Sequence, residues 1–192
     1  MKQFLLFSVF VVISLATRAQ LTANYPPSNA VVSTGTYTDL GMNGSVISTA
    51  NNDDALSAAL PIGFSFSYNG TSYTDFIFCT NGFIKLGTTN PSTASLHYNV
   101  PATSTPTASG GMFVSTNTAD VNLIAPFCLD LVGATGVEYR YHTSGSPGSR
   151  ICTIQWKNVT EKASTVATQY SSMQFQLKLY ETSNIIEFIY GP

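Results

Sequence analysis

Apolar and polar residues alternate with a period of two along most of the chain, and no run sustains a helical period. The clearest stretch is Pro61 to Gly87, PIGFSFSYNGTSYTDFIFCTNGFIKLG. Asn69-Gly70 and Asn81-Gly82 each sit between alternating apolar residues. Both central positions of a type I′ turn need positive φ, which Asn and Gly tolerate, so each pair predicts a two-residue hairpin. The first turn would set Tyr68 opposite Thr71, Phe66 opposite Tyr73 and Phe64 opposite Asp75. The second would set Thr80 opposite Phe83, Cys79 opposite Ile84 and Ile77 opposite Leu86. Opposed residues share a face. One face is then Ile62, Phe64, Phe66, Tyr68, Tyr73, Ile77, Cys79, Ile84 and Leu86. The other is Ser65, Ser67, Ser72, Thr74, Phe76, Phe78, Thr80, Phe83 and Lys85. Asp75 falls on the apolar face and predicts a bulge or bend there.

A second register check lies near the end of the chain. Pairing Leu179 with Ile186 puts Leu177 opposite Phe188, Phe175 opposite Tyr190 and Lys178 opposite Glu187. Val137, Tyr139 and Tyr141 alternate with Glu138, Arg140 and His142. Cys152, Ile154 and Trp156 alternate with Thr153 and Gln155. Both runs read as half-buried strands. Leu123 to Leu131 returns the chain to the core. Short strands are expected at Thr36 to Leu40 and Ser45 to Ser48. Between the hairpins and Leu123 lies Thr88 to Asn122, rich in Ser, Thr, Pro, Ala and Gly. It is far longer than the usual loop of about 4–6 residues. Its apolar islands, Leu96-His97-Tyr98 and Met112-Phe113-Val114, are candidate edge strands. Many short strands with Gly, Pro and Asn turns give the fold class: all-β, an antiparallel β-sandwich of jelly-roll-like or Greek-key type, in one domain.

The start of the chain stands apart. Lys2, the apolar run Phe4 to Ala16 and Thr17-Arg18-Ala19 predict a secretory signal peptide over residues 1–19, cleaved after Ala19. The apolar run is shorter than the ~20 residues a membrane span needs. Residues 20–35 read as an irregular entry segment and 36–192 as the sandwich. Loss of Lys2 and Arg18 takes the formal charge from −2 to −4. Only 9% of residues are charged, against roughly 25% in typical soluble domains. Such a surface does not suit nucleic acid or anionic lipid, whose binding is driven by charge. Cys79, Cys128 and Cys152 are an odd number, so at most one internal disulfide can form. All three sit in apolar runs and read as small buried hydrophobes.

Candidate chemistry is sparse. Asn51-Asn52-Asp53-Asp54 is the densest group of oxygen ligands, and Asn52, Asp53 and Asp54 are the candidate calcium ligands. Their spacing is not that of an EF-hand, and Asn/Asp clusters also form ordinary turns. No other cofactor is expected. His97 and His142 lie in different segments, and there is no HExxH, GxSxG, P-loop or CxxC. The carboxylates are scattered, with no hint of the facing pair that a glycosidase needs. No catalytic residue is assigned, and the expectation is a protein that is not an enzyme. Trp156 is in phase with Cys152 and Ile154, which makes it core rather than a sugar platform.

Several stretches resemble a module of large exported bacterial proteins, surface or adhesin-like chains that often leave by the type IX secretion system. They are Gly35-Thr36-Tyr37-Thr38, LPIGFSFSYNGTSYTDF from Leu60, CTNGFIKLG from Cys79, Ile124-Ala125-Pro126-Phe127, Ile154-Gln155-Trp156-Lys157-Asn158 and FQLKLYETSNIIEFIYG from Phe175. The Asn-Gly-aromatic hairpin and the Ala-Pro-Phe strand are also similar to the nidogen-type extracellular domain. Such modules usually read tryptophan then aspartate after Ala-Pro-Phe. This chain has Cys128 and Leu129 there and keeps only Asp130. The resemblance implies a secreted or cell-surface interaction module for adhesion to an extracellular protein or glycan, within a larger multidomain surface protein. The alternative is an accessory carbohydrate-binding domain of a secreted hydrolase.

Overall fold

The structure is a computed structural model that describes residues 25–96, 115–162 and 170–192. The expected signal peptide, the start of the entry segment, His97, Tyr98 and Met112 to Val114 lie outside the described residues.

Among the described residues, nine strands form two antiparallel sheets. They are β1 (Ser45–Val46), β2 (Leu56–Tyr68), β3 (Thr71–Cys79), β4 (Phe83–Leu86), β5 (Leu123–Ile124), β6 (Leu131–Ser144), β7 (Ile151–Glu161), β8 (Met173–Tyr180) and β9 (Ile186–Tyr190). One sheet runs β2-β3-β4-β5 and the other β1-β6-β7-β8-β9. Each is a meander of consecutive strands, and β1 on β6 is the non-consecutive pairing. The other regular element among the described residues is a 3-10 turn at Pro27–Asn29. The all-β sandwich class is therefore borne out.

Between the sheets lies a row of aromatic rings. Trp156 is fully buried and stacks on Phe78 at 4.7 Å and on Phe175 at 5.0 Å. Phe78 also meets Tyr139, and Phe175 meets Phe127, which touches Tyr190. Trp156 Nε1 donates to the Cys79 carbonyl at 2.9 Å, so its one polar atom is satisfied inside the core. The core reading of Trp156 is borne out.

The β8–β9 register is the one the sequence predicts: Leu179 opposite Ile186, Lys178 opposite Glu187, Leu177 opposite Phe188, Phe175 opposite Tyr190. The Asn69-Gly70 turn is also as expected. Tyr68 pairs with Thr71 and Phe66 with Tyr73, and Asn69 and Gly70 have φ of 49° and 80°. The expected irregularity at Asp75 is present. Pro61, not Phe64, lies opposite Asp75, and the pairing shifts between Pro61 and Phe66.

That irregularity reverses the face of every residue after it on β3. Phe76 and Phe78 turn into the main core, while Cys79 joins a second apolar cluster outside the four-stranded sheet with Phe83, Ala94 and Leu96. The assignment of Ile77 and Cys79 to the face of Ile84 and Leu86 is thus corrected. The second turn is corrected too. Cys79 pairs with Phe83, Phe78 with Ile84 and Ile77 with Lys85, so the loop has three residues, Thr80 to Gly82. Gly82 has φ of 81°, whereas Asn81 is not in the positive-φ region. Gly82 N–H donates to the Cys79 carbonyl at 3.3 Å, which closes a β-turn ending on a left-handed glycine, the three-residue hairpin pattern. A Cβ at Gly82 would also lie 2.8 Å from Phe127 Cβ.

Two further expectations change. Thr36 to Leu40 is not a strand; side chains hold it against the five-stranded sheet instead. Leu40 N–H donates to Gln155 Oε1 and Gln176 Nε2 to the Thr38 carbonyl, and both glutamines are fully buried beneath it. Lys85, on the more polar face with Phe83, would be expected to be a surface residue, and it is not. It is 4% exposed, and its ammonium donates to the Thr89 carbonyl at 2.8 Å. Burial lowers its pKa. Ile84→Ala should cost about 2–5 kcal/mol, as core truncations do. Lys85→Ala should cost about 1–2 kcal/mol through its lost hydrogen bond and packed stem, more than the ~0.5 of a surface change. Urea melts of the two variants check this; a negligible loss for Lys85→Ala would put that side chain back in water.

Candidate functional site

The predicted calcium residues lie at one corner of the sandwich. Asn52, Asp53 and Asp54 lead into β2, Asn81 belongs to the β3–β4 turn, and Asp130 immediately precedes β6. Ligand oxygens of Asp53, Asp54 and Asp130 lie within 4.8 Å of one another. Asp53 and Asp130 are half-buried and Asp54 is exposed. Asn52 takes a different part. Its carbonyl accepts from Gly133 N–H at 2.8 Å, and its Cβ would lie 2.8 Å from a Cβ at position 133. Glycine at 133 is what lets the two segments meet.

Protein donors already serve this corner. Lys162 Nζ donates to Asp53 Oδ2 at 2.6 Å, and the Lys162 backbone N–H to the Asp130 carbonyl at 2.8 Å. The bond to Asp53, with the fields of Asp53, Asp130 and Asp54, raises the Lys162 pKa. Asn81 Nδ2 donates to Asp54 Oδ1 at 2.7 Å and to the Ala94 carbonyl at 3.1 Å, while its Oδ1 accepts from Leu131 N–H at 2.8 Å. Fully buried Asn81 thus ties three distant segments together. The oxygens are of the hard kind that calcium prefers, arranged as an ion pair and an amide clamp. Asp130 is not among the predicted ligands, and Lys162 enters the corner as a cation paired with Asp53. The surviving acidic residue after Ala-Pro-Phe was the one sequence signal for Asp130.

A different surface carries two exposed tyrosines, Tyr170 and Tyr190. The aromatic row ends at Tyr190, which is 53% exposed and whose hydroxyl donates to the Pro126 carbonyl at 2.8 Å. Beside it an open groove of about 430 Å³ is lined by Pro126, Phe127, Tyr170, Met173, Gln174 and Tyr190. Tyr170 is 42% exposed. Sequence reasoning missed this groove, because Tyr170 and Tyr190 come from different segments with no shared pattern. His142, the one histidine among the described residues, is half-buried on β6 opposite Thr153.

Two ion pairs contribute to the acid response. Glu181 accepts from Arg150 Nε at 2.9 Å and from the backbone N–H groups of Arg150 and Gly148, and the Arg150 bond holds its carboxyl down at about 2. Asp39 pairs with Lys157 and accepts from Gly41 N–H, which hold it at about 2. Both folded values lie below the unfolded ones near ~4. Their contribution is present above that pH and is lost as pH falls towards 2. Thermal melts from pH 5 to 2 should show this fall, and Glu181→Gln should make it shallower. Parallel curves for the two proteins would refute the role of Glu181.

No curated protein and no solved structure matches this chain. A family match does. Residues 29–192, from the entry segment through β9, match the family described as NIDO related. The match agrees with the likeness carried by the Asn-Gly-aromatic hairpin and the Ala-Pro-Phe strand. With all nine described strands inside it, this chain belongs to the NIDO-related family, a nidogen-related extracellular domain.

Proposed function

We propose that the protein is an exported, non-enzymatic β-sandwich module that binds an extracellular protein or glycan, as part of an adhesin-like surface protein of the type IX secretion class. The observation that carries this reading is the match to a nidogen-related extracellular family over residues 29–192. The low charge supports it, because contact would rest on aromatic and amide groups rather than on ion pairing. Export would remove residues 1–19 and leave Gln20 first, which intact-mass spectrometry of the exported protein reads directly.

The groove favours one second reading, the accessory carbohydrate-binding domain. Tyr170 and Tyr190 offer ring faces, and Gln174 and Ser172 offer donors and acceptors beside them. Apolar walls with a few placed polar groups are what a small-ligand site needs. The experiment is one binding survey of the exported protein, against extracellular proteins and a glycan array, with Tyr170→Ala and Tyr190→Ala in parallel. Saturable binding to a protein surface supports adhesion. Binding to one polysaccharide class that both substitutions abolish supports the carbohydrate reading. Folded protein that binds neither set would overturn both.

A further inference from the structure

The three cysteines do not share one environment. Cys152 lies in the main core between the sheets, on β7 opposite Leu179. Cys79 is fully buried in the second apolar cluster, outside the four-stranded sheet, and Cys128 packs against that same cluster. The backbone brings the two segments together: Phe127 N–H donates to the Gly82 carbonyl at 3.1 Å, beside the turn that Cys79 opens. The four-stranded sheet thus separates Cys152 from the other two.

We propose that Cys79 and Cys128 form the internal disulfide of the exported protein, leaving Cys152 as a thiol. The oxidant is a small-molecule or protein disulfide. The Cys128 thiolate, on the more accessible residue, attacks one of its sulfurs and expels a thiolate. The Cys79 thiolate then attacks Cys128 Sγ and expels the second. Two protein thiols lose two protons and two electrons, and the oxidant leaves as two thiols. Burial, with the nearby Asp54 and Cys128, pushes the Cys79 thiol up, so thiolate is scarce once the cluster has closed. The bond therefore forms while the chain is still folding. The ring it closes contains both described ends of the Thr88 to Asn122 stretch. These ends are already clasped by Asp120, which accepts from Ser92 N–H and from the Ser92 and Ser115 hydroxyls. A cross-link around so long a loop restrains mainly the unfolded chain.

The test uses the full chain refolded with a mixture of reduced and oxidised glutathione. Thiols are alkylated in denaturant before and after reduction, and the peptides are mapped by mass. One label before reduction, on Cys152, three after it, and a Cys79–Cys128 linked peptide are expected. Reduction should lower Tm by on the order of 5–10 °C. Cys128→Ser should abolish that drop, whereas Cys152→Ser should keep both the link and the drop. Three labels before reduction, a link that includes Cys152, or a Cys128-linked dimer would overturn the proposal. A Tm indifferent to reductant would also do so.

Discussion

Trp156→Ala should cost about 3–5 kcal/mol, the range for a fully buried large aromatic. Folded domains have only about 5–15 kcal/mol in total, so this one truncation removes a large share of it. The side chain is the middle ring of the row, with Phe78 on one face and Phe175 on the other. These partners come from opposite sheets, so truncation opens a cavity across the seam of the sandwich. It also removes one of the two donors to the Cys79 carbonyl, leaving it Gly82 N–H at 3.3 Å. Trp156→Phe refills most of the cavity and loses the hydrogen bond, so it should cost less, about 1–3 kcal/mol. Urea unfolding followed by circular dichroism reads both. Losses below about 1 kcal/mol for the alanine variant would mean that the row does not hold the sheets together.

Asn81→Ala should cost about 2–5 kcal/mol. It removes donors to exposed Asp54 and to the Ala94 carbonyl, which keeps the Cys79 thiol, and it takes the acceptor from the buried Leu131 N–H, at about 1–3 kcal/mol for that group on top of the other lost bonds. Asn69→Ala gives the contrast within the same protein. Asn69 sits on an exposed turn with φ of 49°, where an alanine pays mainly for the left-handed backbone, about 1–2 kcal/mol. Both sites read Asn-Gly in sequence. If the two alanine variants lost equal stability, Asn81 would be an ordinary turn residue and the three-segment clamp would be wrong. Hydrogen exchange adds a local readout: the Leu131 amide should lose protection in Asn81→Ala and keep it in Asn69→Ala.

That contrast shows where the sequence is legible and where it is not. Hairpin β8–β9 could be read outright, because one alignment satisfied the apolar pairs and the Lys178–Glu187 pair together. Asn69-Gly70 could be read because its turn is local. Asn81-Gly82 could not, because Asn81 is committed to partners 13, 27 and 50 residues away. Those bonds take an asparagine out of the solvent-exposed turn that its dipeptide suggests. On β3 the irregularity at Asp75 was visible, but its consequence had to be followed through. One irregular residue flips the strand, and Phe76 and Phe78 exchange faces with Ile77 and Cys79. Gln155 alternates with apolar residues in a run that reads as half-buried, and the full burial of Gln155 and Gln176 leaves no local pattern. They are buried because the segment before Leu40 lies over them.

The candidate site divides in the same way. Asp53 and Asp54 were visible as neighbours in the chain, while Asp130 and Lys162 reach them only through the fold. The groove between Tyr170 and Tyr190 left no trace in any local pattern. The nidogen-type likeness was legible because it rests on the order of several strand motifs along the chain. The family match over residues 29–192 bears it out.

The pairing of β3 with β4 decides which rings fill the core, where Asn81 sits and which thiols share a cluster. Cross-strand Hα–Hα contacts in a nuclear Overhauser spectrum of the folded protein read that pairing directly. Opposed residues of a non-hydrogen-bonded pair bring their Cα atoms to about 4.5 Å. The three-residue loop predicts contacts within the set Cys79–Phe83 and Ile77–Lys85, or within the set Phe78–Ile84 and Phe76–Leu86. Contacts of Cys79 with Ile84 and of Ile77 with Leu86 would instead show the two-residue hairpin, and would contradict the face assignment and the cysteine pairing built on it.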